Sequence, residues 1–326
     1  MQLVCNIIRG KEVESNHTVY AVVIDENKKI IFSVGNPEYI TCIRSSLKPF
    51  QASTLIKYKG HKKFNLTSEE LSLVCASHSA EKKHTDTVLS ILKKINCNIN
   101  DLECGPHPAY DLHTRHMMLK QNIPFSSLHN NCSGKHVGML ALAKTLNIDY
   151  RGYINSNHII QKKIFSNILQ YAGTQPHNIS IDGCSVPTPF YSLYTIAQMY
   201  LQLINNQSTE LKVLYDSMIQ YPHMVAGQNR FDTDFMFATN ANGVSKGGGE
   251  AIQGLAMKTK KYGMISMALK VLSGSHLVRD VAIMKVLNHL NCLSDKENKL
   301  LEKYIEKPIN NHNGLQTGVI SAELFN

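Results

Sequence analysis

Apolar residues alternate or run together over residues 18–24 and again over 29–34, with Asp25-Glu26-Asn27 between them. Two such runs joined by a short polar turn predict a β-hairpin. Downstream the period changes. Residues 50–58 fit a short helix whose first turn takes Pro49, where a missing N–H matters least. Thr67-Ser68-Glu69-Glu70 reads as a helix start, with a capping serine and early acids, leading into residues 71–75. Further helices are expected over 81–95, 137–146, 159–171 and 191–204. The last third turns back to strands at 252–257 and 264–271, joined by Lys260-Lys261-Tyr262-Gly263. A helix over 280–290 and a strand near 318–320 follow.

Strands, a helical middle and strands again predict an α+β fold. Its antiparallel sheet is built from N- and C-terminal strands, with helices packed on it. No repeat and no Pro/Gly/Ser-rich linker interrupts the chain, so residues 1–326 are expected to form a single domain with a helical lobe in the middle.

Composition changes this picture little. With 43% hydrophobic and 18% charged residues the chain has the makeup of a soluble globular protein. The formal charge of +9 invites a nucleic-acid reading, but the lysines are scattered and no basic stripe interleaves with aromatics. No nucleic-acid partner is expected. No apolar run is long enough to span a bilayer, and the N-terminus lacks a basic stretch followed by a long apolar core. The eight cysteines follow no pairing pattern and contain no C-x-x-C, which reads as reduced thiols in a cytoplasmic protein.

The candidate chemistry lies in short polar clusters. Arg44-Ser45-Ser46-Leu47-Lys48 sets a serine three residues before a lysine, a spacing that can bring hydroxyl and amine together. A serine is a poor nucleophile until a base takes its proton, and a desolvated neutral lysine can be that base. Spacing alone leaves open whether Ser45 or Ser46 is the partner. Four other clusters pack reactive side chains beside Gly or Asn: Cys75-Ala76-Ser77-His78-Ser79, residues 129–136, Asp182-Gly183-Cys184, and Lys246-Gly247-Gly248-Gly249-Glu250. Cys132 and Cys184 suit zinc, and on chemistry alone His129 or His136 would complete the set.

Taken in order, Arg9-Gly10, Val13-Glu14-Ser15 and His17, Arg44-Ser45-Ser46, Lys48-Pro49-Phe50-Gln51, Cys75-Ala76-Ser77-His78, Asn130-Asn131-Cys132-Ser133-Gly134-Lys135-His136, Asp182-Gly183-Cys184 and Lys246-Gly247-Gly248 resemble the rhizobial-type L-asparaginase II family. The likeness extends to Asn310-Asn311 and Gly314. It implies a fold similar to serine-dependent glutaminases and β-lactamases, a homodimer, and an amidohydrolase that releases ammonia from L-asparagine. Carried over by motif, Ser45 with Lys48 forms one pair and Ser77 with Lys246 another. Cys132, Lys135 and Cys184 match the ligands of a zinc ion, and Arg44 and Asp182 stand where substrate-contacting residues are expected. His136 is either a neighbour of metal and substrate or a core residue at the start of its helix. The resemblance implies attack by Ser45, with Lys48 as base and Ser77 and Lys246 relaying the proton to ammonia. Ala80, Ser185 and the small residues around Glu250 depart from the family pattern, the first two where glycine is common. The alternatives are a glutaminase or other Ser-Lys hydrolase, and a non-catalytic zinc- or amino-acid-binding protein.

Overall fold

The longest strand forms where aliphatic and β-branched residues run together. The second half of Glu12–Asp25 is buried because it has partners on both edges, with Ala21, Val22, Val23 and Ile24 fully inaccessible. Gly263–Val271 pairs along one edge, while Gln2–Arg9 and then Ile30–Val34 share the other. The structure, a computed structural model, describes residues 1–205 and 208–325. It divides into two compact units: Met1–Ser46 with Tyr191–Asn205 and Asp234–Asn326, and Leu47–Phe190 with Asn206–Thr233.

The first unit holds an antiparallel sheet with eight strands among the described residues. Its order is Lys307–Asn310, Gln316–Phe325, Gln2–Arg9, Glu12–Asp25, Gly263–Val271, Ile252–Thr259 and Gly243–Gly248, with Ile30–Val34 beside Glu12–Asp25. The first and last strands are neighbours, in register from Gln2↔Phe325 to Arg9↔Gly318. Helices Leu193–Ile204 and His276–His289 pack on this sheet. The expected α+β architecture, hairpin and terminal strand pairing are therefore present.

The second unit is mainly helical. Lys48–Lys57 packs against Ser133–Thr145, Ile159–Ala172 and Thr209–Gln220. Ser68–Val74 starts with a reciprocal cap. Glu70 N–H donates to Thr67 Oγ1 at 3.2 Å, and Thr67 N–H donates to Glu70 Oε2 at 2.8 Å. Thr67, and not the expected Ser68, is the cap. Ser133–Thr145 is buried from Ser133 to Ala143 and begins four residues before the expected start, so Lys135 and His136 belong to its first turn. The apolar pattern hides that turn because its buried residues are polar.

Gly134 and Gly138 face Ser68–Val74 one turn apart. A Cβ at Gly134 would meet Leu73 O at 2.2 Å, and one at Gly138 would meet Val74 Cγ1 at 2.5 Å. A valine methyl can turn aside, whereas a helix carbonyl cannot. Gly134→Ala is therefore expected to cost about 3 kcal/mol, the upper part of the overpacking range, and Gly138→Ala less. Urea unfolding of the two variants checks the order; equal losses would contradict it.

No helix among the described residues is long and apolar enough to cross a membrane.

Candidate active site

Lys48 opens its helix next to Pro49, and its side chain is 1% exposed. The amine lies 2.6 Å from Ala76 O, 2.9 Å from Ser77 Oγ and 3.4 Å from Asn131 O. Ala76 and Ser77 follow the end of helix Ser68–Val74. Ser77 N–H donates to Val225 O at 2.9 Å, and Ser79 Oγ donates to Ala226 O at 2.7 Å. These bonds fix the serine in front of the amine. Within this unit the hydroxyl beside Lys48 is Ser77's. Burial draws the amine to carbonyls that accept its hydrogens, and Ala76 and Asn131 supply two.

His78 stands beside this pair. Its Nδ1 accepts from Ala80 N–H at 3.1 Å, so Nε2 carries the hydrogen and donates to Ser133 Oγ at 2.8 Å. Ser133 Oγ donates onward to Leu128 O at 3.0 Å. Burial, followed by the neighbouring His84, Lys48 and His129, holds the imidazole well below its usual range. A neutral, fully bonded His78 serves as a wall of the site.

Cys132 precedes helix Ser133–Thr145, where its N–H donates to Asn130 Oδ1 at 2.9 Å. Asn130 Nδ2 donates to Cys104 O at 2.8 Å and Gly105 O at 3.1 Å, so one buried amide anchors the whole turn. Cys184 and Asp182 sit in the turn between strands Asn178–Ile181 and Pro187–Ser192, closed by Ser185 N–H to Asp182 O at 2.8 Å. Lys135 Nζ lies 2.8 Å from Cys184 Sγ, and the two thiols share a hydrogen bond. That bond from Cys132, aided by the Lys135 ammonium, holds Cys184 well below the usual thiol range. The same bond and burial push Cys132 up to about 12. Burial alone would lower the Lys135 amine, but the Cys184 and Cys132 sulfurs outweigh it and hold it above its usual value.

His136 is completely buried on the next helical position. Its Nδ1 lies 2.7 Å from Tyr153 Oη, and its Nε2 has no hydrogen-bond partner. Burial first, then Lys135, holds it well below its usual value.

In the other unit, Arg44–Leu47 forms a 3-10 turn containing a half-buried Ser45. Ser46 is locked into the fold: its Oγ donates to Lys246 O at 2.8 Å, and its carbonyl accepts from Tyr200 Oη at 2.8 Å. Lys246 is fully buried and its amine donates to Gly247 O at 2.7 Å. The Arg44 guanidinium lies across Gly249, whose Cβ would fall 2.9 Å from Arg44 Cζ.

The departures from the family pattern gain a physical meaning. Ala80 and Ser185 hold φ of 63° and 70°, and Glu250 and Ala251 hold 58° and 53°. These are left-handed positions that glycine adopts freely and other residues at a cost of about 1–2 kcal/mol.

Away from the cysteines, Glu81, His84 and His223 bring metal-capable atoms within 4.8 Å of one another. The His84 and His223 rings stack at 9°, so their lone pairs lie in nearly parallel planes, and His84 Nε2 is 3.0 Å from His223 O. That arrangement suits a stack better than a shared ion.

Residues 5–322 match the family model described as L-asparaginase II. No curated protein matches. A β-lactamase from Francisella tularensis is similar over 85% of this chain and 95% of its own, with 10% identity and a TM-score of 0.39. A structure of Mglu, in its native form at 4.3 M NaCl, is similar over 84% of this chain and 61% of its own, with 10% identity and a TM-score of 0.37.

Proposed function

We infer the chemistry of this chain from its family: it belongs to the L-asparaginase II family over residues 5–322. The reaction proposed is hydrolysis of the side-chain amide of L-asparagine to L-aspartate and ammonia. One observation carries the mechanism, the buried Lys48 amine 2.9 Å from Ser77 Oγ. A neutral amine has two hydrogens and one lone pair. With Ala76 O and Asn131 O accepting two hydrogens, the amine in its neutral form would turn its lone pair to Ser77 Oγ in place of the third hydrogen it donates there as an ammonium. Ser77 then attacks the amide carbon while Lys48 takes its proton. Lys48 returns the proton to the departing nitrogen, ammonia leaves, and water hydrolyses the ester by the reverse route. Ser77 is taken as the nucleophile here, in place of the Ser45 of the motif reading, on the 2.9 Å contact of its hydroxyl with Lys48. For Ser45, Lys246, Arg44 and Asp182 the support is the resemblance of their motifs.

Cys132, Lys135 and Cys184 fit a zinc ion: two soft sulfurs and an amine converge in a buried place, already sharing protons that a cation would displace. Bound there, zinc would supply Lewis-acid stabilisation to an oxygen of the substrate. Its binding must expel the Cys132 thiol proton and the Lys135 ammonium proton. The apparent zinc affinity is therefore expected to rise about 100-fold per pH unit between roughly pH 6 and 8, two protons being released. Chelator competition across that range checks it, and a pH-independent affinity would remove Lys135 from the ligand set.

A homodimer is proposed on the resemblance alone. A cytoplasmic setting is proposed because all eight cysteines are unbridged. Substrate class is tested by ammonia release from L-asparagine, with L-glutamine alongside. One methylene separates the two, and such a difference discriminates by only about 10–200-fold. Turnover of asparagine at least tenfold above glutamine supports the reading; equal rates favour a general amidase, and binding without turnover a sensor.

A further inference from the structure

Lysines that lie far apart in the sequence converge on one face of the helical unit. Helix Lys48–Lys57 packs against Ile159–Ala172, and the short helix Gly60–Lys63 against Ser133–Thr145. Residues 47–68, 133–148 and 152–177 contain no aspartate or glutamate. Of the acids that border these stretches, Glu69, Glu70 and Asp149 are ion-paired with Lys83, Lys94 and Arg151. The lysines of the face rest on neutral acceptors instead. Lys57 Nζ donates to Asn167 Oδ1 at 3.1 Å and Gln170 Oε1 at 3.2 Å, and Lys63 Nζ to Lys144 O at 3.0 Å and Thr145 O at 3.3 Å. Lys163 Nζ donates to Tyr58 Oη at 3.4 Å, and Lys59 and Lys62 are exposed. Among the described residues none of these five lysines pairs with a carboxylate.

Lys59 adds an argument from the backbone. Its φ of 60° is left-handed. The chain fills such positions with asparagine at Asn65, Asn96, Asn122 and Asn147, the residue that adopts them readily. A lysine at 59 gives up that ease and keeps a charge.

The makeup of the face selects its partner. The exposed large apolar side chains of the described residues spare 47–68, 133–148 and 160–172. A protein partner would find no apolar anchor there, and protein interfaces are depleted in lysine. A membrane would find no side chain to bury. Tyr58, Phe64 and Tyr150 each carry a lysine over the ring, at 5.1, 5.6 and 4.8 Å from the centroid, so they are not open platforms for unstacked bases. Lysine ammoniums are point charges that neutralise phosphates without reading bases.

We infer that this face binds the phosphate backbone of a nucleic-acid duplex, without sequence preference. The inference goes beyond the amide chemistry and does not depend on it.

The test uses the full-length protein and a fluorescein-labelled DNA duplex of about 20 base pairs, with anisotropy read from about 50 to 200 mM NaCl. The parent should bind, with log K falling against log salt by about 0.9 per phosphate neutralised. Lys59→Asn, Lys62→Gln and Lys163→Gln combined should weaken binding at the lowest salt by about tenfold or more and flatten the slope by about 2–3, roughly one per lost contact. Lys258→Gln, Lys260→Gln and Lys261→Gln combined remove the same charge from exposed positions of the other unit and should change affinity by less than about threefold. Lys59→Asn alone should bind more weakly yet unfold at a higher urea concentration. A duplex of unrelated sequence should bind as well as the first. Absence of binding at the lowest salt overturns the proposal. Equal losses from the two triple variants also overturn it, since net charge alone would then account for the binding. Tighter binding of a single strand of the same length overturns the duplex reading, and displacement of the duplex by poly-L-glutamate at equal charge overturns it in favour of an acidic protein.

Discussion

Lys48→Met should lower kcat for asparagine by about 1,000-fold or more, the upper range for loss of a general base, while leaving a folded protein. Methionine fills nearly the same volume, so packing in the buried start of helix Lys48–Lys57 is kept. What disappears is the group that meets Ser77 Oγ at 2.9 Å. Ala76 O and Asn131 O lose a donor, and a stability loss of about 1–3 kcal/mol is expected from that. Lys48→Arg should be no better, because a guanidinium stays charged and cannot accept the proton. Steady-state kinetics beside circular dichroism separates lost chemistry from lost fold. A variant that keeps a tenth of the parent kcat would remove Lys48 from the role of base.

The protein should also lose stability steeply as pH falls from about 6.5 to 4. His78, His84 and His136 are fully buried. Burial lowers all three, and in His84 it outweighs the raising effect of the bond to His223 O, leaving a value of about 4 against an ordinary 6.5. Because the folded values lie below the unfolded one, the unfolded chain takes up protons first as pH falls. The neutral rings thus contribute stability above pH 6.5 that is lost on the way down. For His84 alone the difference is about 3 kcal/mol at 1.36 per unit. Carboxylates such as Asp280, lowered despite burial by Arg279 and Lys307, act in the same direction, but only below their ordinary 3.8. Urea midpoints measured from pH 8 to 4 should therefore drop within the histidine window, and His84→Gln should flatten that drop. A midpoint that is constant down to pH 4 would contradict the account.

Much of this fold was legible where one physical rule dominates. Glu12–Asp25 and Ile30–Val34 are recognisable because a half-buried hairpin must alternate and must turn at polar residues. Thr209–Gln220 carries Leu211, Leu214, Tyr215 and Met218 at helical spacing behind a Ser208 cap, yet it stood outside the expected elements with nothing physical to hide it. Gly243–Gly248 is another matter. Three glycines and a lysine argue against a strand, and it exists because it pairs with Ile252–Thr259 from Gly243↔Met257 to Gly248↔Ile252. Propensity yields to tertiary pairing there.

The site divides along the same line. Its residue types were legible as contiguous clusters, because a turn carrying Asn, Gly, Cys and Lys has few structural uses. The pairing within it was not. That Ser77 meets Lys48 depends on where residues 75–80 pass, and that path is fixed by Val225 and Ala226, about 150 positions downstream. The contact of His136 Nδ1 with Tyr153 Oη, 17 positions away, is likewise one that no local motif announces.

The central claim is that Ser77, activated by Lys48, is acylated by asparagine. Acid-quenching the enzyme during turnover and mapping its peptides by mass spectrometry tests this most directly. An aspartyl ester on the peptide containing Ser77, absent from Ser77→Ala, is the predicted result. An ester on Ser45, or rapid ammonia release with no acyl-serine at any quench time, would contradict it.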